Sequence, residues 1–301
     1  MAIISSSAAT PPVAFSFVRL RRVGFAVSLA LLLLTGAAVV SGGLALGLDF
    51  TGGVLVEAGR ASGWAASDLR AALAAAGVAD ASVQIAGDGL TALVRAGGDA
   101  ATLEAIRGAL TAADGVIRAA EAVGPRVSAE LLRDGALASV SAVAAIAVYV
   151  WLRFEARFGL AAFLTTLHDV ALMVGFFALS GLTFDLTSVA AMLAVAGYSI
   201  NDTVIVFDRI RETLARDRAA PLPGVIDRAI TETLRRTLMT SGTTLMASVT
   251  LMALGGPVLF GFAAAVTVGV ALGTLSSIFV AAPLLLHLPG ALIAPLAEPR
   301  A

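Results

Sequence analysis

Two charged side chains sit in runs that are otherwise apolar enough for a lipid bilayer. Asp202 falls within Leu193-Ala-Val-Ala-Gly-Tyr-Ser-Ile-Asn-Asp-Thr-Val-Ile-Val-Phe207, and Arg236 opens a stretch in which Thr237, Thr240, Ser241, Thr244 and Ser248 recur every three or four residues. A charge at the bilayer centre costs roughly 2.5–3.5 kcal/mol on insertion scales, so a carboxylate kept there ordinarily faces protein and has a function. The spacing from Arg236 onward places the guanidinium and the hydroxyls on one helix face. Burial and a neighbouring cation act in opposite senses on a carboxyl proton, so a helix movement that changes the separation of Asp202 and Arg236 would load or release one. The plainer assignments are a structural Asp202 bonded to Thr203 or Tyr198, and hydroxyls bonded to their own helix or to a neighbouring one.

Other polar residues join this inventory. Thr165-Thr-Leu-His168-Asp169-Val170 places an imidazole and a second carboxylate in another apolar run, able to extend a relay or to form a partly wet structural cluster. Asn201 and Ser241 are accessory polar positions beside the charged pair. Cysteine is absent, the two histidines are His168 and His287, and no His-Glu-x-x-His occurs, so neither a metal site nor a cofactor beyond the proton is expected.

The elements that must hold these groups are membrane helices. Hydrophobic residues make up 58% of the 301 and charged residues only 14%, and the mean hydropathy is +0.94, which excludes an ordinary soluble domain. A net charge of -1 argues against a nucleic-acid partner. Six runs reach spanning length, near 23–46, 135–152, 160–182, 186–207, 238–254 and 258–288. The first follows Arg19, Arg21 and Arg22 and is longer than a signal-peptide core, so it is read as an uncleaved anchor. Arginines cluster before the first span, between the second and third, and after the fourth, whereas 180–185 and 255–257 carry none. The positive-inside rule then places both termini in the cytoplasm, with 1–22 and 289–301 as cytoplasmic ends.

Residues 47–134 fall outside on that orientation. Apolar or alternating runs at 53–58, 81–85, 90–94 and 116–123 alternate with helical composition at 67–76 and 101–112, a β-α-β-β-α-β order. Ser67 is suited to cap the first of these helices, Gly77 to end it, and Asp88-Gly89 to turn the central hairpin. The expected fold is therefore an α-helical polytopic membrane protein with six transmembrane helices and one small α+β, ferredoxin-like external domain, 47–134, between the first and second. Within 135–288, a cytoplasmic loop and an amphipathic interfacial helix are expected at 208–236. In the last span Gly261, Ala265, Gly269, Gly273 and Ser277 form a four-residue ladder for close helix packing.

Several segments together carry a family resemblance. Gly47-Leu-Asp49-Phe-Thr-Gly52-Gly53, Gly124-Pro-Arg-Val, Phe154-Glu155, His168-Asp169, the run from Gly197 to Glu212 and Arg236-Thr-Leu-Met-Thr-Ser-Gly-Thr-Thr244 resemble the SecD/SecF family of bacterial protein-export membrane proteins, on its SecF side. The resemblance implies membership of the resistance-nodulation-division superfamily, an inner-membrane location that makes the external domain periplasmic, a SecD-like partner, the SecYEG channel and a translocating preprotein. It also implies a non-enzymatic role in drawing preproteins out with the proton motive force. By residue it makes Asp202 and Arg236 the working pair, with Thr240 as a helper. A proton-coupled small-molecule transporter, an intramembrane aspartyl protease using Asp169 and Asp202, and a passive scaffold are the competing readings. The protease reading expects Gly-x-Gly-Asp, whereas Ser199-Ile200-Asn201 precedes Asp202.

Overall fold

Glycine or proline stands at many of the helix ends, as at Gly43, Gly52, Gly181, Pro221 and Gly255. The computed structural model describes residues 15–289, so the expected cytoplasmic ends lie largely outside the described residues. In chain order the elements are α1 (Arg21–Gly42, led by a turn at Val18–Leu20), α2 (Leu48–Thr51), β1 (Gly53–Gly59), α3 (Ala66–Ala75), β2 (Ser82–Ile85), β3 (Thr91–Ala96), α4 (Ala100–Ala112) and β4 (Val116–Val123). There follow α5 (Pro125–Arg153), α6 (Ala156–Ser180), α7 (Leu186–Arg216), α8 (Leu222–Leu254), α9 (Gly256–Ser276), a π-helical turn (Ser277–Ala281) and α10 (Ala282–Leu284). The described residues are mostly helical, and among them six helical segments are long and apolar enough to cross a membrane.

The chain divides into two compact units. One comprises residues 44–140 and 182–189 and contains a four-stranded sheet in the order β2-β3-β1-β4. Every pairing is antiparallel, with Val56 opposite Val94 and Ala120 at the centre. Alternation along β1 and β3 buries Val54, Val56, Ala58, Ala92, Val94 and Ala96 against Leu69 and Leu73 of α3 and Ile106 and Leu110 of α4. Asp99 caps α4 through the N–H groups of Ala101 and Thr102. Ser67 does not cap α3: the helix begins one residue earlier, at Ala66, and the Ser67 hydroxyl donates to Asp68 instead. Gly77 ends it at φ +85°, a conformation that costs glycine little.

The β2–β3 hairpin turns on Asp88. Its carboxylate accepts the N–H groups of Leu90 (2.9 Å) and Thr91 (3.0 Å) and the Thr91 hydroxyl. The Leu90 bond first, then that of Thr91, holds this carboxyl below its ordinary value of 3.8. A depressed folded-state value stabilises the turn above the unfolded value, and the benefit is lost as pH falls through the folded one. Amide exchange should therefore show protection of Leu90 and Thr91 weakening below about pH 4 in the wild type. In Asp88→Ala that protection should already be reduced at neutral pH, with no further acid step in the same window.

The same unit contains the first glycine-rich segment quoted above. Asp49 Oδ2 accepts the Leu186 N–H at 2.9 Å and so caps the start of α7. Gly53, at φ +112°, has no room for a side chain, since a Cβ would lie 2.5 Å from the Ala96 carbonyl oxygen. Gly52, at φ +69°, turns the chain into β1.

The other unit comprises the described part of 1–43, residues 141–181 and the described part of 190–301. Half or more of the most apolar window of α6, of α7 and of the last span is buried, against 17% in α8 and 6% in α1. These three therefore make the inner layer. Phe154, Phe158 and Phe207 pack edge to face or tilted, with Phe158 and Phe207 ring centres 5.1 Å apart, and Ile210, Ile226, Ile230 and Leu285 complete this core. Arg153 and Arg211 lie over the Phe154 ring, and each also meets a carboxylate, Asp208 for Arg153 and Glu155 for Arg211.

The structure modifies the expected course of 208–236. Residues 208–216 continue α7, and the amphipathic stretch is the first part of α8, continuous with the fifth span rather than a separate element. Pro221 and Pro223 lie before and within the first turn, where a missing N–H is harmless, and no proline follows to break the helix. Val225, Ile226, Ala229 and Ile230 of that stretch are buried in the aromatic core. Buried Asp227 accepts the Ser16 hydroxyl (2.7 Å) and the Val18 N–H (2.8 Å), tying the lead-in to α1 onto α8.

Candidate functional site

Asp202 lies on α7 with 0% of its surface exposed, and among the described residues neither carboxylate oxygen has a hydrogen-bond partner. Burying such a group without donors is expensive enough that a functional explanation is warranted. Thr203 and Tyr198, the neighbours that could have made it a structural carboxylate, are engaged elsewhere. Thr203 Oγ1 lies 2.9 Å from Ser277 Oγ, and the Tyr198 hydroxyl donates to Ser241 at 3.2 Å.

The cation that acts electrostatically on Asp202 is Arg236 of α8. Among the described residues the two form no ion pair within 4 Å, and Arg236 is solvent-exposed in the isolated chain. The remaining polar residues of the fifth span separate into two groups. Thr240 donates to the carbonyls of Arg236 and Thr237 within its own helix, both at 3.0 Å, while Ser241 joins α8 to α9 through Thr274 at 2.6 Å. Thr237 sits buried with its hydroxyl unpartnered. Asn201, beside Asp202 in sequence, is exposed and turned away from this buried face.

His168 and Asp169 form a second buried cluster, and here the carboxylate is fully met. Asp169 is 2% exposed; His168 Nδ1 lies 2.9 Å from its Oδ1, and Ser199 and Ser276 donate to Oδ2 at 2.5 and 2.8 Å. Ser199 is on α7 and Ser276 ends α9, so one carboxylate joins three helices. Sequence reasoning placed His168 and Asp169 among the polar sites but missed Ser199 and Ser276. The available signal was a pair of adjacent serines, Ser276-Ser277, inside an otherwise apolar span. Among the described residues no three His, Cys, Asp or Glu side chains come together in a way that could hold a metal ion.

The small-residue ladder of the last span also separates by function. A Cβ on Gly269 would meet Val195 at 2.6 Å and the Met173 sulfur at 2.8 Å, and one on Gly273 would meet Ser199 Cβ at 3.0 Å. These two glycines let α9 approach α6 and α7. Around Gly261 nothing lies within 4 Å among the described residues.

Fold and site together define a class: a polytopic membrane protein with an unpartnered carboxylate in its inner helical layer and a small antiparallel α+β unit. The sequence model described as "Protein export membrane protein SecD/SecF, C-terminal" matches residues 104–290. The chain is 43% identical over 285 residues to the protein translocase subunit SecF of Desulfurispirillum indicum, covering 90% of each. It is 41% identical to the protein translocase subunit SecDF of Brucella abortus, covering 90% of this chain and 37% of that one. A crystal structure of SecDF from Thermus thermophilus, described as a translocon-associated membrane protein, superimposes with a TM-score of 0.82 at 36% identity. That match spans 92% of this chain and 39% of the longer one. The chain belongs to the SecD/SecF family of protein export membrane proteins.

Proposed function

We propose that this chain is the SecF-type subunit of a Sec export machine, in which protonation of Asp202 drives preprotein movement. The observation that carries this reading is the buried carboxyl of Asp202, which has no hydrogen-bond donor among the described residues, with the guanidinium of Arg236 on α8 as the cation that acts on it. Such a carboxyl has two ways to resolve its condition, a proton on the group or an approach of the guanidinium. Alternation between the two shifts α7 against α8 and transmits a displacement to the domain outside the membrane. The membrane potential favours the cycle in one direction, since one charge moved through 100 mV is worth about 2.3 kcal/mol.

The partner is a SecD-like subunit, in keeping with relatives that carry both names in one chain of which this chain spans about 37–39%. The SecYEG channel and the emerging preprotein complete the assembly, in a bacterial inner membrane with both termini cytoplasmic. The unit at 47–134 is read as a ferredoxin-like periplasmic domain, supported by its strand order and antiparallel pairing. The role is mechanical rather than enzymatic, with the proton as coupling ion.

Release of a trapped secretory precursor from sealed vesicles tests the reading. Vesicles containing this chain and its partner should show faster release when a proton gradient is imposed, and vesicles lacking the chain should show no gradient-dependent component. Equal release in both would remove the chain from the coupling step.

A further inference from the structure

The inner layer contains two buried carboxyls whose surroundings are opposite. Asp169 is met by His168, Ser199 and Ser276, whereas Asp202, three residues beyond Ser199 on α7, has no donor on either oxygen. Residues three apart on a helix share a face, so the carboxylate that holds Ser199 also fixes the azimuth of Asp202. A second tie lies one residue further along: Ser277 Oγ reaches Thr203 Oγ1 at 2.9 Å and donates to the Ser199 carbonyl at 3.4 Å. Ser277 opens the π-helical turn that follows α9, and Ser276 immediately precedes it. Insertions of this kind widen a helix locally and recur where a side chain must be offset from the regular helical position. Gly273 supplies the remaining condition by letting the Ser199 backbone and side chain approach α9.

We propose that Asp169 is a positioning residue: bonded to Ser199 and Ser276, it clamps α7 to α9 in the rotation that keeps the Asp202 carboxyl away from every hydroxyl in the layer. The clamp explains why the hydroxyls of Tyr198, Ser199 and Thr203, which flank Asp202 on α7, and those of Ser276 and Ser277, which meet Asp169 and Thr203, all bond elsewhere. A small rotation of α7 would bring a hydroxyl to Asp202 and satisfy it, removing the tension that the proposed proton cycle exploits. The inference rests on the assignment of Asp202 as the proton-carrying group.

The titratable and charged groups in play are few. His168 and Asp169 lie in this layer on α6 and Tyr198 and Asp202 on α7, while Arg236 acts on it from the exposed surface of α8; α9 and the π-helical turn contribute none, and the arginines of α1 lie at its start.

Infrared spectroscopy of the protein with its partner in lipid vesicles reads the effect directly. The carboxyl band that disappears in Asp202→Asn belongs to Asp202, and in the wild type it should lie at the high frequency of a carboxyl without donors. In Asp169→Asn and, independently, in the milder Ser199→Ala, the band should move to lower frequency and its pH midpoint should change by about 0.5–1 unit, roughly three- to tenfold in proton affinity. Variants that only loosen the fold would melt earlier while leaving the band in place, and that outcome overturns the inference. Absence of any band lost in Asp202→Asn overturns the proton-carrying assignment and this inference with it.

Discussion

Asp202→Asn, inserted at wild-type level together with its partner, is expected to abolish gradient-dependent release of a trapped precursor while leaving the gradient-independent part intact. Asparagine preserves size and polarity but cannot gain or lose the proton, so the substitution isolates the chemistry from the packing. The wild-type advantage under a gradient of about 100 mV should exceed tenfold, because about 2.3 kcal/mol per charge is available to bias the cycle. Arg236→Leu should fail in the same assay for the complementary reason, since it leaves nothing for the ionised carboxylate to approach. Arg236→Lys should retain part of the response, because a flexible point charge replaces the planar guanidinium. Gradient-dependent release that survives in both Asp202→Asn and Arg236→Leu would remove the pair from the mechanism.

The part of this site that could be read in the sequence is the part carried by composition. A carboxylate among Val, Ile, Ala and Phe is conspicuous in one dimension, and so are a β-α-β-β-α-β order and a glycine ladder. The network around Asp169 is different in kind. Its partners lie 30 and 107 residues away, and serine is common enough in membrane helices that neither Ser199 nor Ser276 announces itself. Only helix packing reveals that the hydroxyls close to Asp202 are committed to other groups. Helix continuity was obscured for a related reason. The amphipathic pattern before Arg236 suggests a surface helix, yet the fold buries its apolar face in the Phe154–Phe158–Phe207 core and runs it unbroken into the span. The SecD/SecF motifs, by contrast, were legible as strings, and the structure gives one of them a mechanical role: the Asp49 carboxylate caps α7.

Gly269→Ala should be the most destabilising single-methyl change among the three glycines of the last-span ladder. The added Cβ would come within 2.6–2.8 Å of Val195 and Met173, closer than van der Waals contact allows. Val195 is a branched side chain with little rotamer freedom on a helix, so the strain passes to the separation of α7 and α9. Overpacking of this kind costs about 1–3 kcal/mol, and a larger side chain at the same position costs more. Gly273→Ala would press on Ser199 instead, at 3.0 Å, where a smaller adjustment suffices. Gly261→Ala has no neighbour within 4 Å in this chain and replaces glycine with a better helix former, so alone it should be neutral or stabilising by up to about 1 kcal/mol. Thermal unfolding of the purified protein in one detergent should therefore order the variants with Gly269→Ala lowest, Gly273→Ala intermediate and Gly261→Ala at or above the wild type. If Gly269→Ala instead unfolds with the wild type, the close approach of α9 to α6 and α7 is not what holds the inner layer together. The hydroxyl network would then have to set the helix spacing, and Ser199→Ala and Ser276→Ala should take over the lowest places in the series.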